Sequence, residues 1–209
     1  AKQCACFRTS LRNSAIHTFQ GLKTSMSIHE MRKCYSMSGL AKCDVDSEPM
    51  VQFQCWFEEA QQPDLPDWME INAMTLATAD SEGKVTSRVV LLKGIEEGRL
   101  CFYTNYESEK GQQMAENPQV SLCFLWGHLQ RQVRIEGTVM KSDRSKSIDY
   151  FQSRPRESQL GAHVSRQSSV IDSSRALQEQ FSALELKYDQ QEIPCPDHWG
   201  GYEVQPTRF

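Results

Sequence analysis

The chain has 209 residues, eight cysteines and a formal net charge of −4. This length is enough for one sizeable domain that folds without disulfide staples. The acidic balance, and the lack of a Lys/Arg run interleaved with aromatic residues, argue against nucleic acid as a partner. The apolar runs are much shorter than the ~20 residues that a bilayer span requires, so we expect no membrane partner either.

The cysteines show neither CxxC spacing nor a zinc-ligand pattern with histidine. We interpret them as reduced thiols, several of them in the core, and predict no metal site. No segment follows the plan of a secretory signal. Together these features indicate a soluble protein of the cytoplasm.

The first 47 residues are interpreted as a basic arm and linker, ahead of a main domain over 48–209. The first 29 residues contain no acidic residue and four Lys or Arg residues, namely Lys2, Arg8, Arg12 and Lys23. This bias is typical of an organelle transit peptide or of a disordered arm. Mitochondrial import is therefore an alternative that the segment leaves open.

The first predicted element is a helix over 48–61. Its apolar residues fall on one helical face, which is typical of a packing helix; they are Met50, Phe53, Trp56, Phe57 and Ala60. From residue 72 onward, apolar residues recur at every second position, and the polar turn at 80–83 predicts a hairpin with a second strand over 85–93.

Later elements continue the same pattern. We predict strands over 99–104, 119–125 and 131–139, and a short helix over 109–116. A helix from Ser142 should end before Pro155, and a final helix capped by Asp172 should precede a last strand. Several strands joined by short loops predict a mainly β fold with flanking helices, in which an antiparallel sheet closes or nearly closes into a barrel.

A candidate anion site lies between residues 87 and 111. Arg88 and Lys93 bracket an apolar run, and on one regular strand they would point to opposite faces. Thr104, Ser108 and Lys110 then supply donors at the start of a helix, where backbone N–H groups favour phosphate. The alternative is a hairpin with ordinary surface cations.

A second candidate consists of Tyr150, Arg154 and Ser158, which are spaced by four and four. With Pro155 breaking the helix, these side chains should converge from a helix end and the next turn. A phenol, a guanidinium and a hydroxyl would form a phosphate grip, since arginine offers a bidentate fork. The alternative is a helix end at which the arginine donates to free carbonyls.

Several motifs in one order resemble the pyridoxine-5′-phosphate oxidase family; they are RVVLLKG, FYTNYESEKG, NPQVSLCFLW, RQVRIEG, YFQSRPRESQLGAHVSRQSS and HWGGY. The resemblance covers about residues 72–202, and MRKCY at 31–35 is similar to the family's N-terminal arm. It implies an FMN-binding split β-barrel that forms a homodimer with flavin in clefts between the subunits. The implied reaction oxidises pyridoxine 5′-phosphate or pyridoxamine 5′-phosphate to pyridoxal 5′-phosphate. Hydride passes from C4′ to flavin N5, and O2 is reduced to H2O2.

The resemblance also implies roles for individual residues. The flavin-binding positions fall on Arg88, Val89, Val90, Leu91, Tyr103, Thr104, Lys110, Gln132, Gln167 and Ser168. The grip on the substrate phosphate falls on Lys93, Tyr150, Arg154 and Ser158, and the arm residues Arg32 and Tyr35 would cover the substrate. No nucleophile is implied, because the cofactor carries the reaction.

The sequence departs from the family pattern in two places. Glu109 stands where the family has an arginine, so we expect FMN to bind more weakly than is usual for the family. The family also continues beyond the position of Phe209 into FWQG and RLHDR motifs, whose arginine and histidine approach the substrate, so we expect a C-terminally incomplete domain. Two alternatives stay open: a catalytically impaired protein that binds FMN or pyridoxal phosphate as carrier or sensor, and a flavoenzyme with another substrate.

Overall fold

The structure is a computed structural model that describes residues 27–31, 34–37, 39–171 and 173–209. The chain divides into two compact units, Ala1–Ser38 and Gly39–Phe209, and the described residues of the first include a 3-10 turn at Ile28–Glu30. The first 26 residues of the predicted arm lie outside the described part. Among the helices described, none combines the length and the apolar character that crossing a bilayer requires.

Within the described residues of the second unit, seven strands form one antiparallel sheet. The strands are β1 (Ala73–Ala79), β2 (Val85–Leu91), β3 (Gly94–Glu96), β4 (Arg99–Asn105), β5 (Gln119–Trp126), β6 (Arg131–Lys141) and β7 (Trp199–Arg208). Their order is β2-β1-β5-β6-β7-β4-β3. The sheet curls so that residues of β2 approach β4, which leaves a half-barrel with β2 and β3 as its edges. The predicted antiparallel split barrel is confirmed.

Alternating side chains fill the inside of the curl. On β5, Leu122, Phe124 and Trp126 are buried, and α1 (Pro49–Ala60) covers them with Phe53, whose ring centroid lies 5.1 Å from that of Phe124. Burial of one such phenylalanine contributes about 1.5–3 kcal/mol. The predicted packing helix is therefore confirmed, since Ala60 is also buried and the other predicted face residues pack partly against this core.

The remaining helices are α2 (Glu109–Glu116), α3 (Arg144–Ser153), α4 (Arg156–Val164) and α5 (Ser174–Lys187). Pro155 separates α3 from α4, as its missing N–H requires. A second apolar cluster lies between these helices and the start of β7; its buried members are Phe151, Leu160, Ala162, Ile193 and Trp199. α5 packs against this cluster through Phe181 and Leu184, and its C-cap residue, Tyr188, packs there as well.

Three details differ from the expectations. β2 ends at Leu91, and the N–H of Lys93 donates to the carbonyl of Cys101, so the expected alternation between Arg88 and Lys93 along one strand is wrong. The expected loop after Lys93 contains a short strand, β3, because it pairs with β4. Ser173 caps α5 by accepting from the N–H of Ala176, and Asp172 lies outside the described residues.

Two helical glycines allow a matched test of how closely α2 packs. A Cβ on Gly111 would lie 2.1 Å from the carbonyl oxygen of Tyr106, whereas a Cβ on Gly161 in α4 would meet no atom within 4 Å. We expect Gly111→Ala to lower the free energy of unfolding by about 2 kcal/mol or more. Gly161→Ala should raise it by up to about 1 kcal/mol, because alanine favours the helix. Urea unfolding followed by circular dichroism measures both, and equal effects would contradict the close approach at Gly111.

Candidate functional site

A buried lysine lies at the start of α2. Lys110 is only 6% exposed, and its Nζ donates to Gln167 Oε1 at 2.7 Å, Ser108 Oγ at 3.1 Å and Thr104 Oγ1 at 3.2 Å. All three partners are neutral. Burial lowers the pKa of Lys110 to about 8; the nearby charge of Arg88 lowers it further, and that of Glu109 opposes the shift. A buried ammonium with only neutral partners favours the binding of an anion.

Arg88 lies beside this lysine, and its hydrogen bonds go to β1 and to its own strand, β2. Its Nη1 donates to Thr78 Oγ1 at 2.6 Å and to the carbonyl of Leu76 at 3.2 Å, and its Nη2 donates to Thr86 Oγ1. Both threonine hydroxyls donate in turn to Oε1 of Gln113 on α2. Gln113 was not predicted from the sequence, although it lies three residues after Lys110 on the same helix and is buried.

The second candidate cluster is aromatic. The rings of Tyr103 and Tyr150 stack with their centroids 3.9 Å apart, and Trp199 stacks beside Tyr103 at 5.6 Å. The guanidinium of Arg154 lies over the Trp199 ring at 4.5 Å. Its Nη1 is buried and has no hydrogen-bond partner among the described residues. Because buried donors are nearly always paired, this nitrogen indicates a place for an anion.

The carbonyls at the end of α3 are satisfied by a different side chain. Nε2 of Gln159 donates to the carbonyls of Phe151 and Gln152 at 3.1 Å and to that of Arg154 at 3.0 Å. The alternative in which Arg154 serves these carbonyls is therefore wrong. Burial lowers the pKa of Arg154, although the nearby groups of Tyr150 and Cys195 oppose that shift.

The two clusters lie on the two sides of β4. Tyr103 contacts Tyr150 on α3, whereas the next residue, Thr104, contacts Lys110 on α2. Adjacent residues of a strand point to opposite faces, so one strand supplies a side chain to each cluster. The structure thus gathers Arg88, Thr104, Lys110 and Gln167 at one site, and Tyr103, Tyr150 and Arg154 at the other.

The other described residues that were predicted for the site lie on β2 and β6, in α4 and in the segments between elements. Val90 packs against the barrel core, Val89 is 66% exposed, Leu91 is half-buried, and Lys93 is exposed past the end of β2. Gln132 is exposed on β6, where it lines a groove with Arg134 and Glu136. Ser158 is half-buried in the first turn of α4, and Ser168 is exposed with a left-handed φ of 71°. Tyr35 is exposed in the first unit, and Arg32 lies outside the described residues.

One group of potential metal ligands comes together within the described residues, namely Glu96, Cys101 and Glu203. Lys146 contacts both carboxylates, at 2.6 Å and 3.3 Å, and Arg99 contacts Glu203 at 3.1 Å. Burial and the nearby carboxylates raise the pKa of the Cys101 thiol to about 11. The two carboxylates are paired with Lys146 and Arg99 in an ion network that ties α3 to β3 and β7.

Comparison with known proteins identifies the family. A family model described as "Pyridoxamine 5′-phosphate oxidase" matches residues 58–188, more than half of the chain. The chain is 57% identical over 184 residues to the pyridoxine/pyridoxamine 5′-phosphate oxidase of Rhodopirellula baltica, covering 88% of this chain and 82% of that protein. The enzyme of the same name from Leptospira interrogans is 50% identical over 182 residues, with coverages of 87% and 84%.

The chain belongs to the pyridoxamine 5′-phosphate oxidase family. The resemblance seen in the sequence motifs is thus confirmed. Among solved structures, PhzG from Burkholderia lata 383, in complex with tetrahydrophenazine-1-carboxylic acid, matches with a TM-score of 0.75 and 25% identity, covering 82% of this chain and 84% of that one. A pyridoxamine 5′-phosphate oxidase-related, FMN-binding protein from Nostoc punctiforme shares the fold, with a TM-score of 0.54, 17% identity and coverages of 66% and 72%.

Proposed function

We propose that this protein is an FMN-dependent oxidase that converts pyridoxine 5′-phosphate or pyridoxamine 5′-phosphate to pyridoxal 5′-phosphate and reduces O2 to H2O2. The observation that carries the proposal is the presence of two cations, the buried Lys110 and the half-buried Arg154 with its buried Nη1. Thr104 of β4 accepts from Lys110, and the preceding residue, Tyr103, stacks on the Trp199 ring that Arg154 contacts. Cofactor and substrate of this reaction each carry one phosphate, so the reaction needs two separate anion sites. The curated relatives named for this activity support the same choice.

The cofactor phosphate is assigned to the cluster around Lys110. An ammonium, a guanidinium and hydroxyl donors suit a phosphate monoester, because charge-assisted hydrogen bonds are about twice as strong as neutral ones. Gln167 Oε1 accepts hydrogen bonds from both Lys110 and Thr104. A charged phosphate oxygen would accept from the same two donors more strongly than this neutral amide oxygen does. When bound, FMN would supply the acceptor for the hydride that leaves C4′ of the substrate. The remaining flavin contacts are assigned to Val89, Val90, Leu91, Gln132 and Ser168.

The substrate phosphate is assigned to the cluster around Arg154. A phosphate oxygen would give the buried Nη1 of Arg154 the acceptor that the described residues do not provide. Tyr150 lies close enough to Arg154 to raise its pKa. Lys93 and Ser158 are assigned to the same phosphate as the other members of the proposed grip.

As part of the same proposal, the protein forms a homodimer. Val89 on β2 and Leu125 on β5 are large apolar side chains that are 66% and 72% exposed. Gln132 pairs across the sheet with Leu125 and is exposed as well. A second copy packed on this outer face would bury these apolar residues. It would also bring the proposed flavin residues Val89 and Gln132 into a cleft between the subunits.

The direct test is anaerobic spectroscopy of the FMN-loaded protein before and after addition of pyridoxine 5′-phosphate. We expect the visible flavin absorption to bleach. Arg154→Ala should bleach only at substrate concentrations about 10- to 100-fold higher, because a charge-assisted hydrogen bond contributes about 1.5–3 kcal/mol. Flavin that binds but does not bleach would contradict the oxidase and favour the carrier or sensor. Failure to bind flavin would contradict the cofactor site.

The low pKa of Lys110 predicts a pH dependence of FMN binding. Folding lowers this pKa from 10.5 to about 8, so the ammonium in the apo-protein is lost as the pH rises through 8. Only the charged form attracts phosphate. We therefore expect the Kd for FMN to be steady just below pH 8 and to rise above it by up to about tenfold per pH unit. Fluorescence titration from pH 7 to 10 measures this dependence.

Two controls isolate the contribution of Lys110. Riboflavin has the same ring system without the phosphate, so its affinity should not follow the titration of Lys110. Lys110→Gln should bind FMN more weakly at every pH and lose the rise above pH 8. An equal rise for riboflavin, or a rise that persists in Lys110→Gln, would contradict the assignment of the phosphate to Lys110.

The negative charge of Glu109 predicts that replacing this residue with arginine should tighten FMN binding. It is the first residue of α2, and its charge raises the pKa of Lys110, so it also repels a phosphate at that site. We expect Glu109→Arg to lower the Kd for FMN about tenfold, through one added charge-assisted bond. Glu107→Arg is the matched control, because it changes the net charge equally at an exposed position just before the helix. Equal Kd values for the two variants would refute this role of Glu109.

A further inference from the structure

Arg154 is held at its backbone by Gln159 and at its guanidinium by two aromatic rings, and none of these residues has a role in the proposed function. At the backbone, Nε2 of Gln159 donates to the Arg154 carbonyl and to two preceding carbonyls, which fixes the end of α3. At the other end of the side chain, the guanidinium carbon lies 4.5 Å from the centroid of Trp199 and 5.7 Å from that of Phe151. Trp199 is therefore the closer of the two rings.

Trp199 is itself rigidly placed. It is 6% exposed, stacks beside Tyr103 and Tyr150, and meets the edge of Phe151 at 5.2 Å. Its carbonyl accepts from Nη1 of Arg144 at 2.7 Å. Nη2 of Arg144 also donates to the carbonyls of Cys195 and Pro196, so the segment that leads into β7 is tied to the start of α3. The Trp199 ring is thus held in a fixed position. The first residue of α3, Arg144, is bonded to the segment that contains Trp199, and the C-cap residue of α3, Arg154, lies over the Trp199 ring.

This arrangement matters because a free arginine side chain has many rotamers. Ordering a long side chain on binding costs conformational entropy, and a side chain that is ordered beforehand avoids that cost. The face of an indole attracts a guanidinium, and this attraction is larger when the pair is withdrawn from water. The contact with the Trp199 ring leaves the buried Nη1 without a hydrogen-bond partner among the described residues.

We propose that Trp199 is a positioning residue that holds the Arg154 guanidinium ready for the substrate phosphate. The inference rests on the proposed function, because it takes Arg154 as the group that binds that phosphate. Trp199 acts on substrate affinity through Arg154, so its removal should affect the capture of the substrate more than the reaction that follows.

Steady-state kinetics of the FMN-saturated protein with pyridoxine 5′-phosphate test the proposal. Trp199→Leu should raise KM about tenfold and leave kcat within about twofold, since the lost contact acts on binding. Trp199→Phe keeps an aromatic face and should raise KM only about threefold. If Trp199→Leu does not fold, Trp199→Phe carries the test, and an unchanged KM in that variant would overturn the inference.

A double-mutant cycle separates positioning from general loosening. In the Arg154→Ala background, Trp199→Leu should raise KM no further, because the group that it positions is already absent. Leu160→Ala is the matched control: Leu160 is a buried member of the same apolar cluster, and its truncation should lower stability without changing KM. A KM for Leu160→Ala as high as that for Trp199→Leu would show that loosening of the cluster is the cause.

The outcomes distinguish this inference from the proposed function. If Arg154→Ala leaves KM unchanged, the proposed phosphate site fails. If Arg154→Ala raises KM while Trp199→Leu does not, or if the two effects on KM multiply in the double variant, the positioning role fails and the phosphate site stands.

Discussion

The fold encloses the cations Lys110 and Arg154 without giving either an anionic hydrogen-bond partner among the described residues. The three hydrogen bonds of Lys110 go to oxygens of Gln167, Ser108 and Thr104, and the buried Nη1 of Arg154 has no partner among the described residues. Transfer of a cation from water costs several kcal/mol unless an anion compensates it. Such groups destabilise the protein until an anion binds, so the energy that keeps them buried must come from elsewhere in the structure.

Two apolar clusters provide that energy, and each lies against one of the cations. The barrel core under α1 includes Met114 of α2, the helix that carries Lys110. The cluster around Phe151 and Trp199 supports α3 and α4, which meet at Arg154. An anion that binds only the folded protein raises its free energy of unfolding, so binding of the proposed cofactor and substrate should stabilise the protein.

The sequence predicted those features that depend on local pattern. Alternating apolar residues marked the main strands, Pro155 marked the break between α3 and α4, and the family motifs pointed to Lys110 and Arg154. The supporting contacts were missed, because they join residues far apart in the chain and leave no periodic signal. Gln113 bonds to a threonine 35 positions away, and Arg144 bonds to a carbonyl 55 positions away. The position of Lys93 depended on where β2 ends, and the N–H of Lys93 bonds instead to the carbonyl of Cys101 on β4, a contact that no local pattern marks.

The contact between Tyr103 and Tyr150 links the two proposed sites. By resemblance the first belongs to the flavin and the second to the substrate, yet their rings stack with centroids 3.9 Å apart. Trp199 stacks with both rings and also supports Arg154, so these four side chains form one packed unit. Packed side chains do not shift independently, because interiors are as dense as organic crystals. A ligand that shifts one of these rings would therefore shift the others, so packing connects the proposed flavin residue Tyr103 with the proposed substrate residue Tyr150.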